Sequence, residues 1–454
     1  MQGNVPSSES ADPVASADTT NFTPDLHLTD RAHRGHIVIL VENLPVPFDR
    51  RVWLESLALK EAGYRVSVVS PCPPDDAEPN RVIEGVRVYR YPMPSPSRGH
   101  LSFVREFAYC YWQTRRIVKR IWRNDPFDVI HSCNPPDMFW ALARPYKKKG
   151  VRFVFDHHDV CPELYLSKFG KRDVFYRGLC WLEKRQFAEA DVVIATNESY
   201  RRIAIDRGGK HPRDVTVVRS GPQLSRFQRL RKELVLKQGR KHLCVYLGVM
   251  GKQDGVDYAL RAIRNAINNG LQDTLFAFIG DGDHYEEVIK LSCQLSLQEH
   301  VIFTGRISDE VLCSYLSTAD LALAPDPKNP LNDISTMNKV VEYMSMSLPI
   351  ISFDLKETRF SAGDAAVYIP DNDVLRMGHA IIEILKDPIR REIMGLVGRK
   401  RVESMLSWDH SRECLIRLYD QLLENKIQEE SFDLRLLSEQ ALAATYEPPL
   451  RRAA

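Results

Sequence analysis

Short apolar runs alternate with helical patterns in two successive trains along this chain, and that alternation confines the fold to parallel α/β domains. In the first train HIVILVE (36–42) is a continuous apolar run suited to a buried strand. Asp49 is placed to cap a helix whose Trp53, Leu54, Leu57 and Ala58 share one face, Gly63 ends it, and VSVVS (66–70) is the next strand. Further strands are predicted at VRVYR (86–90), FDVIH (127–131), VRFVFD (151–156), DVVIAT (191–196) and VTVV (215–218). The pattern pauses at RSGPQLSRFQRLRKE, a basic segment without strand period, and the boundary falls near residue 228. The second train runs through HLCVYLG (242–248), a helix from about Gly255 to Asn269, TLFAFIG (274–280), VIFTG (301–305), DLALAP (320–325), LPIIS (349–353) and AVYI (366–369). Two α/β units of similar size, 454 residues in all, point to an enzyme with an interdomain cleft, where small ligands usually bind.

Composition narrows the partners. No apolar stretch approaches the ~18–20 residues of a membrane-spanning helix. Residues 1–30 are Ser-, Asp- and Pro-rich, lack an apolar core and a basic start, and read as a disordered leader, not a secretory signal. The nine cysteines are scattered with no C-x-x-C pair, which suits reduced, mostly buried thiols in a cytoplasmic protein. The net charge of +2 conceals a balance of −5 over residues 1–30, +12 over 31–227 and −5 over 228–454. A basic first half calls for an anionic partner. The stretch 103–122, FVREFAYCYWQTRRIVKRIW, predicts an amphipathic helix dense in aromatics and Lys/Arg. Its pattern fits either an anionic membrane surface or a core face backed by a solvated basic face. No nucleic-acid recognition motif accompanies the charge.

Three segments carry candidate chemistry. LGVMGKQDGVDYALRA opens the second train, and Gly248, Gly251 and Gly255 precede a helix amino terminus, with Lys252 adding a point charge. This suits a phosphate held by free N–H groups and the helix dipole, and equally a tight βα turn. In DISTMNKVVEYMSMSLPII (333–351), Ser335 or Thr336 is placed to cap a helix bearing Asn338, Lys339 and Glu342. An amide, a cation and a carboxylate there suit diphosphate and ribose, or Lys339 and Glu342 form an exposed i, i+3 ion pair. FDHHDVCPELY (155–165) places His157, His158 and Asp159 directly after a strand, where α/β domains keep ligand contacts. Adjacent residues of an extended loop point apart, so the segment reads as a hydrogen-bonding His and not a metal site. Asp281-Gly282-Asp283 and Asp371-Asn372-Asp373 read as turns.

Taken together, VENLPVPFDRRVWLESLALKEAGYRVSVVSP, IHSCNPPD, FDHHDVCPELY, IATNES, LGVMGKQDGVDYALRA, FTGRISDEVL, MNKVVEYMSMSLPIISFD and SWDHSRECLIRLYDQLL resemble the family-four retaining glycosyltransferases of the GT-B fold, from about His36 to Leu423. The resemblance implies two Rossmann-like domains facing across a cleft. It implies a leader over 1–33, an acceptor-side domain over 34–227, a nucleotide-sugar-binding domain over 228–407, a helix crossing back over 408–425 and a tail over 426–454. It further implies retaining transfer to a saccharide or lipid-linked acceptor, with no metal or other cofactor, on the cytoplasmic side of a membrane. Glu342 matches the glutamate on the donor ribose, and His158-Asp159 the pair facing the transferred sugar. Gly305-Arg306 falls in the loop beside the base, while Gly251, Lys252 and Asn338 join the donor side. The chain departs from the family where the first glutamate of an E-x7-E pair falls at Ile334, next to Asp333. The usual cations of the phosphate turn fall at Val249 and Asp254, so Lys339 or Lys252 is expected to replace them, with Arg50 and Arg51 on the acceptor side as alternates. An epimerase, a phosphorylase and a non-catalytic nucleotide-sugar-binding partner are the other readings of such a chain.

Overall fold

A computed structural model describes residues 34–424, apart from 73–75, 77, 79 and 94–99; the expected leader (1–33) and tail (426–454) lie outside the described residues. The chain divides into two compact units, Met1–Phe153 and Val154–Ala454, and the expected boundary near 228 lies inside the second.

In the first unit, β1 (His36–Leu40) is wholly buried, as its unbroken apolar run requires. Asp49 caps α1 (Arg50–Glu61) by accepting the Val52 N–H at 3.1 Å, and Gly63 turns the chain with φ 94° into β2 (Arg65–Cys72). A short strand the pattern did not reveal, β3 (Asn80–Ile83), forms an antiparallel hairpin with β4 (Val86–Pro92). The 25-residue α2 (His100–Asn124) follows, then β5 (Val129–Cys133) and α3 (Trp140–Lys147). The strands lie in the order β3-β4-β2-β1-β5, parallel except for the hairpin. Chain order therefore reverses at β1.

α2 turns Cys110, Thr114, Ile117, Val118 and Ile121 to the core at helical spacing. Its aromatics follow: Trp122 packs at 5.0 Å from Phe127 and 5.3 Å from Tyr146, and Tyr111 stacks on Phe139. Trp112 is the exception and stays exposed, with Arg116 over its ring.

The division between the units falls within β6 (Arg152–His157). The second unit continues with α4 (Cys161–Phe169), α5 (Val174–Glu189), β7 (Val192–Ala195), α6 (Glu198–Asp206) and β8 (Val215–Val217), and β7 lies between β6 and β8, parallel to both. Its larger sheet comprises β9 (His242–Leu247), β10 (Thr274–Ile279), β11 (Val301–Gly305), β12 (Leu321–Ala324), β13 (Ile350–Phe353) and β14 (Ala366–Ile369). These strands are all parallel, in the order β11-β10-β9-β12-β13-β14.

Helices cover both faces, as a parallel sheet demands. α7 (Val256–Asn268) and α8 (Tyr285–Gln294) bury their apolar stripes on one face, joined there by α12 (Val374–Lys386). α9 (Asp309–Thr318) and α10 (Asn338–Ser345) cover the other. α11 (Lys356–Ala362), α13 (Pro388–Arg401) and a final helix, α14 (408–424), complete the unit. A π-turn over Val402–Leu406 leads into α14, and Trp408 N–H donates to Pro222 O at 3.0 Å, tying the helix start to the segment after β8. All nine cysteines are thiols, six of them buried, and no helix among the described residues is long and apolar enough to cross a membrane.

Candidate active site

Chain order in the six-stranded sheet reverses at β9, and the carboxyl edge at such a reversal is where an open α/β sheet leaves a crevice. Two glycine turns are stacked there. Gly280, at φ 131°, passes so close to the strand end that a Cβ would stand 2.0 Å from Gly248 O. Gly255, at φ 69°, begins α7 with the same constraint from Pro325 O. These glycines are thus required by backbone packing alone, which answers to the tight-turn reading of the loop.

The loop carries its own anion. Asp254 accepts the Gly251 N–H at 2.9 Å, closing a one-turn 3-10 segment over Lys252–Asp254. Behind it stands Lys339, whose ammonium lies 2.6 Å from Asp326, 3.8 Å from Asp254 and 4.9 Å from the Tyr246 ring centroid. Asp326 follows β12 and is as buried as Lys339. Burial alone would lower the ammonium's pKa, but the two carboxylates outweigh it and hold it above its ordinary value. Burial raises the Asp254 carboxyl, against the pull of Lys339. Tyr343, one turn further along α10, accepts the Leu247 N–H at 2.6 Å and donates to Leu323 O at 3.2 Å, which fixes α10 against β9 and β12.

Lys339 therefore sits inward on Asp326 and does not form the exposed pair with Glu342 that spacing allowed. Glu342 is half-buried, and its charge is felt by Arg226, which grips Asp309 with two hydrogen bonds. Asn338, the first residue of α10, is exposed, and so are Lys252 on the loop and Arg306 just beyond β11. Gly305 ends β11 at φ 65°, and its carbonyl accepts the Gly280 N–H at 2.9 Å.

The helix cap differs from expectation. Met337 is the N-cap and supplies no side-chain bond. Ser335 donates instead to Leu331 O at 2.8 Å and receives the Tyr200 hydroxyl at 3.0 Å. Thr336 accepts from Asn197. Asn197 does double duty: its Oδ1 caps α6 by accepting the Tyr200 N–H at 2.8 Å, and its Nδ2 donates to Ile334 O and to Thr336 Oγ1, both at 3.0 Å. Ser199 continues the seam through Glu357 at 2.6 Å and Lys356 at 2.9 Å. Asp333, beside the position where a first glutamate was expected, accepts the Lys356 N–H at 3.0 Å, at the start of α11.

The end of β6 enters the same seam. His157 turns inward, its Nε2 3.4 Å from buried Glu183 and its ring 5.5 Å from that of Tyr200. His158 turns the other way, and its Nδ1 lies 2.7 Å from Asp156. Donation from Nδ1 to that carboxylate orients the ring. Asp159 acts electrostatically on Tyr200, whose phenol is pushed up, first by burial and then by that charge. Tyr200 thus links the His158-Asp159 segment to the turn ahead of α10. Pattern reading missed Asp156, Asn197, Tyr200 and Asp326. Asp156, Asn197 and Asp326 each gave a local signal, a polar residue at or directly after the end of a predicted strand.

In the first unit, reversal at β1 marks the loop that follows it. Arg50 and Arg51 open α1 there. Two cations oppose the helix dipole, and Arg51 is offset by Glu55, buried 3.0 Å away, while Arg50 is exposed. Glu42, two residues beyond β1, is 4% exposed. Burial pushes its carboxyl up to about 7, opposed by a hydrogen bond from the Cys110 thiol and reinforced by Glu106.

Two family models match most of the chain. A model described as "Glycosyl transferase 4-like domain" matches residues 49–221, and one described as "Glycosyl transferases group 1" matches 241–387. Together they span more than two thirds of the sequence. The chain is a family-four glycosyltransferase with the GT-B fold. This glycosyltransferase is 23% identical over 381 residues to phosphatidyl-myo-inositol mannosyltransferase from Mycobacterium leprae, covering 80% of this chain and 89% of that one. Among solved structures, sucrose-phosphate synthase from Thermosynechococcus elongatus superposes with a TM-score of 0.73 at 16% identity, over 86% of this chain and 99% of the other. HepE from Anabaena in complex with UDP-glucose gives 0.61 at 12% identity, over 85% and 100%. A non-catalytic partner, an epimerase or a phosphorylase is not favoured by these matches.

Proposed function

We propose that this glycosyltransferase takes its sugar from a nucleotide-sugar donor bound at the carboxyl edge of the six-stranded sheet. It passes the sugar, with retention and without a metal, to a lipid-linked or saccharide acceptor at the cytoplasmic face of a membrane. The observation that carries this reading is the packing of the 248–254 loop and the start of α10 together at the reversal point of that sheet. Donor diphosphate would lie against the loop amides and the amino terminus of α10, within reach of the exposed Lys252, Arg306 and Asn338. Charge that grows on the leaving group is met by these preorganised dipoles and cations, which is the work a metal does in other transferases. Lys339, already committed to Asp326 and Asp254, keeps those carboxylates from repelling the diphosphate and so acts as a positioning residue. His158, oriented by Asp156, and Asp159 face the sugar, Glu342 holds ribose hydroxyls, and Arg50 with Arg51 lies on the acceptor side. The UDP-glucose bound to HepE and the lipid named for the mannosyltransferase support the donor and acceptor classes.

The reading is tested with labelled nucleotide sugars and a lipid-linked acceptor in excess EDTA, with the anomeric configuration of the product read by NMR. Undiminished turnover to a retained anomer is expected. Activity abolished by EDTA and restored by Mg²⁺ or Mn²⁺, or an inverted product, refutes it. Glu342→Gln should weaken nucleoside diphosphate binding, because a carboxylate bonds hydroxyls more strongly than an amide does. Equal affinities remove Glu342 from the site.

A further inference from the structure

α5 presents an outward face in which apolar and cationic residues repeat at helical spacing. Val174, Arg177, Trp181, Lys184 and Arg185 fall at i, i+3, i+7, i+10 and i+11, and all are exposed, Val174 at 74% and Trp181 at 53%. Such exposure is costly for a tryptophan that belongs to a core. Phe169 at the end of α4 and Phe175 near the start of α5 are exposed as well.

The charge on this surface is of one sign. Lys168, Lys171, Arg172, Arg177, Lys184 and Arg185 are exposed, whereas no acidic residue between 161 and 189 is. Three of the four acids there, all but the half-buried Glu189, are turned to internal work. Asp173 caps α5 and accepts the Tyr165 hydroxyl at 2.9 Å, while Glu163 and Glu183 hold Arg207 from below. The exposed cations flank Trp181 along the helix, and Arg185 lies 5.6 Å over its ring. An indole ringed by Lys and Arg on one helix face is the chemistry of the headgroup layer of an anionic bilayer. α2, the basic aromatic helix that sequence alone singles out, packs Tyr109, Tyr111 and Trp122 against neighbouring rings and is the poorer candidate.

We infer that the outward face of α5, with the end of α4, is the surface by which this enzyme docks on anionic lipid. This rests on the reading that the enzyme works at a membrane. Full-length protein is sedimented with sucrose-loaded vesicles of phosphatidylcholine alone and of phosphatidylcholine with about 30% phosphatidylglycerol. Parent protein should bind only the second, and less as salt rises. Neutralising Lys184 and Arg185 together to Gln should lower partitioning roughly thirty-fold, at about 1 kcal/mol for each charge near the surface. Trp181→Ser should weaken it further, while Trp112→Ser with Arg116→Gln on α2 should bind as the parent does. Thermal midpoints and turnover on a water-soluble acceptor should stay parental in every variant, which separates docking from folding and catalysis. If the α5 variants bind like the parent while the α2 variant does not, the docking face is wrong and the membrane reading stands. A parent that ignores both vesicles overturns both. A parent that instead forms a dimer dissolved by Trp181→Ser makes this a contact between copies of the chain.

Discussion

Replacing Glu42 by Gln should stabilise the protein at neutral pH and do little in acid. The carboxyl sits two residues past β1; burial and Glu106 raise its pKa from 4.5 to about 7 against the hydrogen bond from Cys110. At about 1.4 kcal/mol for each pH unit, that displacement amounts to about 3 kcal/mol. The sign follows from proton counting. Between pH 4.5 and 7 the folded chain holds a proton on Glu42 that the unfolded chain has lost. Stability contributed by the neutral form is therefore full below about 4.5, falls as pH rises to about 7, and is flat above it. Gln keeps an oxygen to accept the Cys110 thiol and removes the ionisation. Its extra amide hydrogens require partners, which makes 3 kcal/mol an upper bound. At about 2–4 °C for each kcal/mol, the melting temperature of Glu42→Gln should exceed the parent's by several degrees at pH 8 and converge with it at pH 4.5. Scanning calorimetry from pH 4.5 to 8 measures this. Parallel curves for the two proteins would show that Glu42 ionises as freely folded as unfolded, and the burial argument would fail.

Lys339→Met should destabilise by about 3–5 kcal/mol, because Asp326 and Asp254 would be left buried without their cation; adding Asp326→Asn should recover part of the loss, read by denaturant titration. If Lys339→Met is neutral, the ion pair is not the buried unit described here. Asn197→Ala should cost about 2–3 kcal/mol, one for the α6 cap and about one for each hydrogen bond to the 334–336 turn. A loss of no more than the cap alone, in the same titration, would show that the seam contributes nothing. Lys252→Ala should lower turnover about a hundredfold with a smaller change in donor affinity, as a cation on the leaving diphosphate would. Parental turnover would leave Lys252 a solvated surface residue.

What was legible in the sequence was local. VIFTG is read to the residue as β11, and the Asp49 cap is apparent because the carboxylate and the N–H it accepts lie three residues apart. β3 escaped notice because NRVI is short, half polar and paired only through its hairpin. The misplaced α10 cap has the opposite cause: Ser335 and Thr336 have the right chemistry for a cap, but Tyr200 and Asn197, more than 130 residues earlier, claim their hydroxyls. Lys339 was legible as a cation, but not whether it faces solvent or the interior. Its partners, Asp326 and Asp254, are brought to it only when β9, β12 and α10 are packed. Aromatics and bases are densest in α2, where a membrane surface and a core face were both open readings; density along a sequence does not say which side chains the core will consume.

The Asp254 carboxylate on the Gly251 amide changes what ligand entry means at this loop. A donor phosphate that takes that N–H displaces an anion already in residence, so binding there is an exchange and not the filling of an empty socket. The displaced carboxylate stays tethered beside the loop at a high effective concentration, ready to return when the nucleotide departs. On the proposed donor site, such a built-in competitor would weaken affinity for donor and spent nucleotide alike, and would favour rapid clearance of the product.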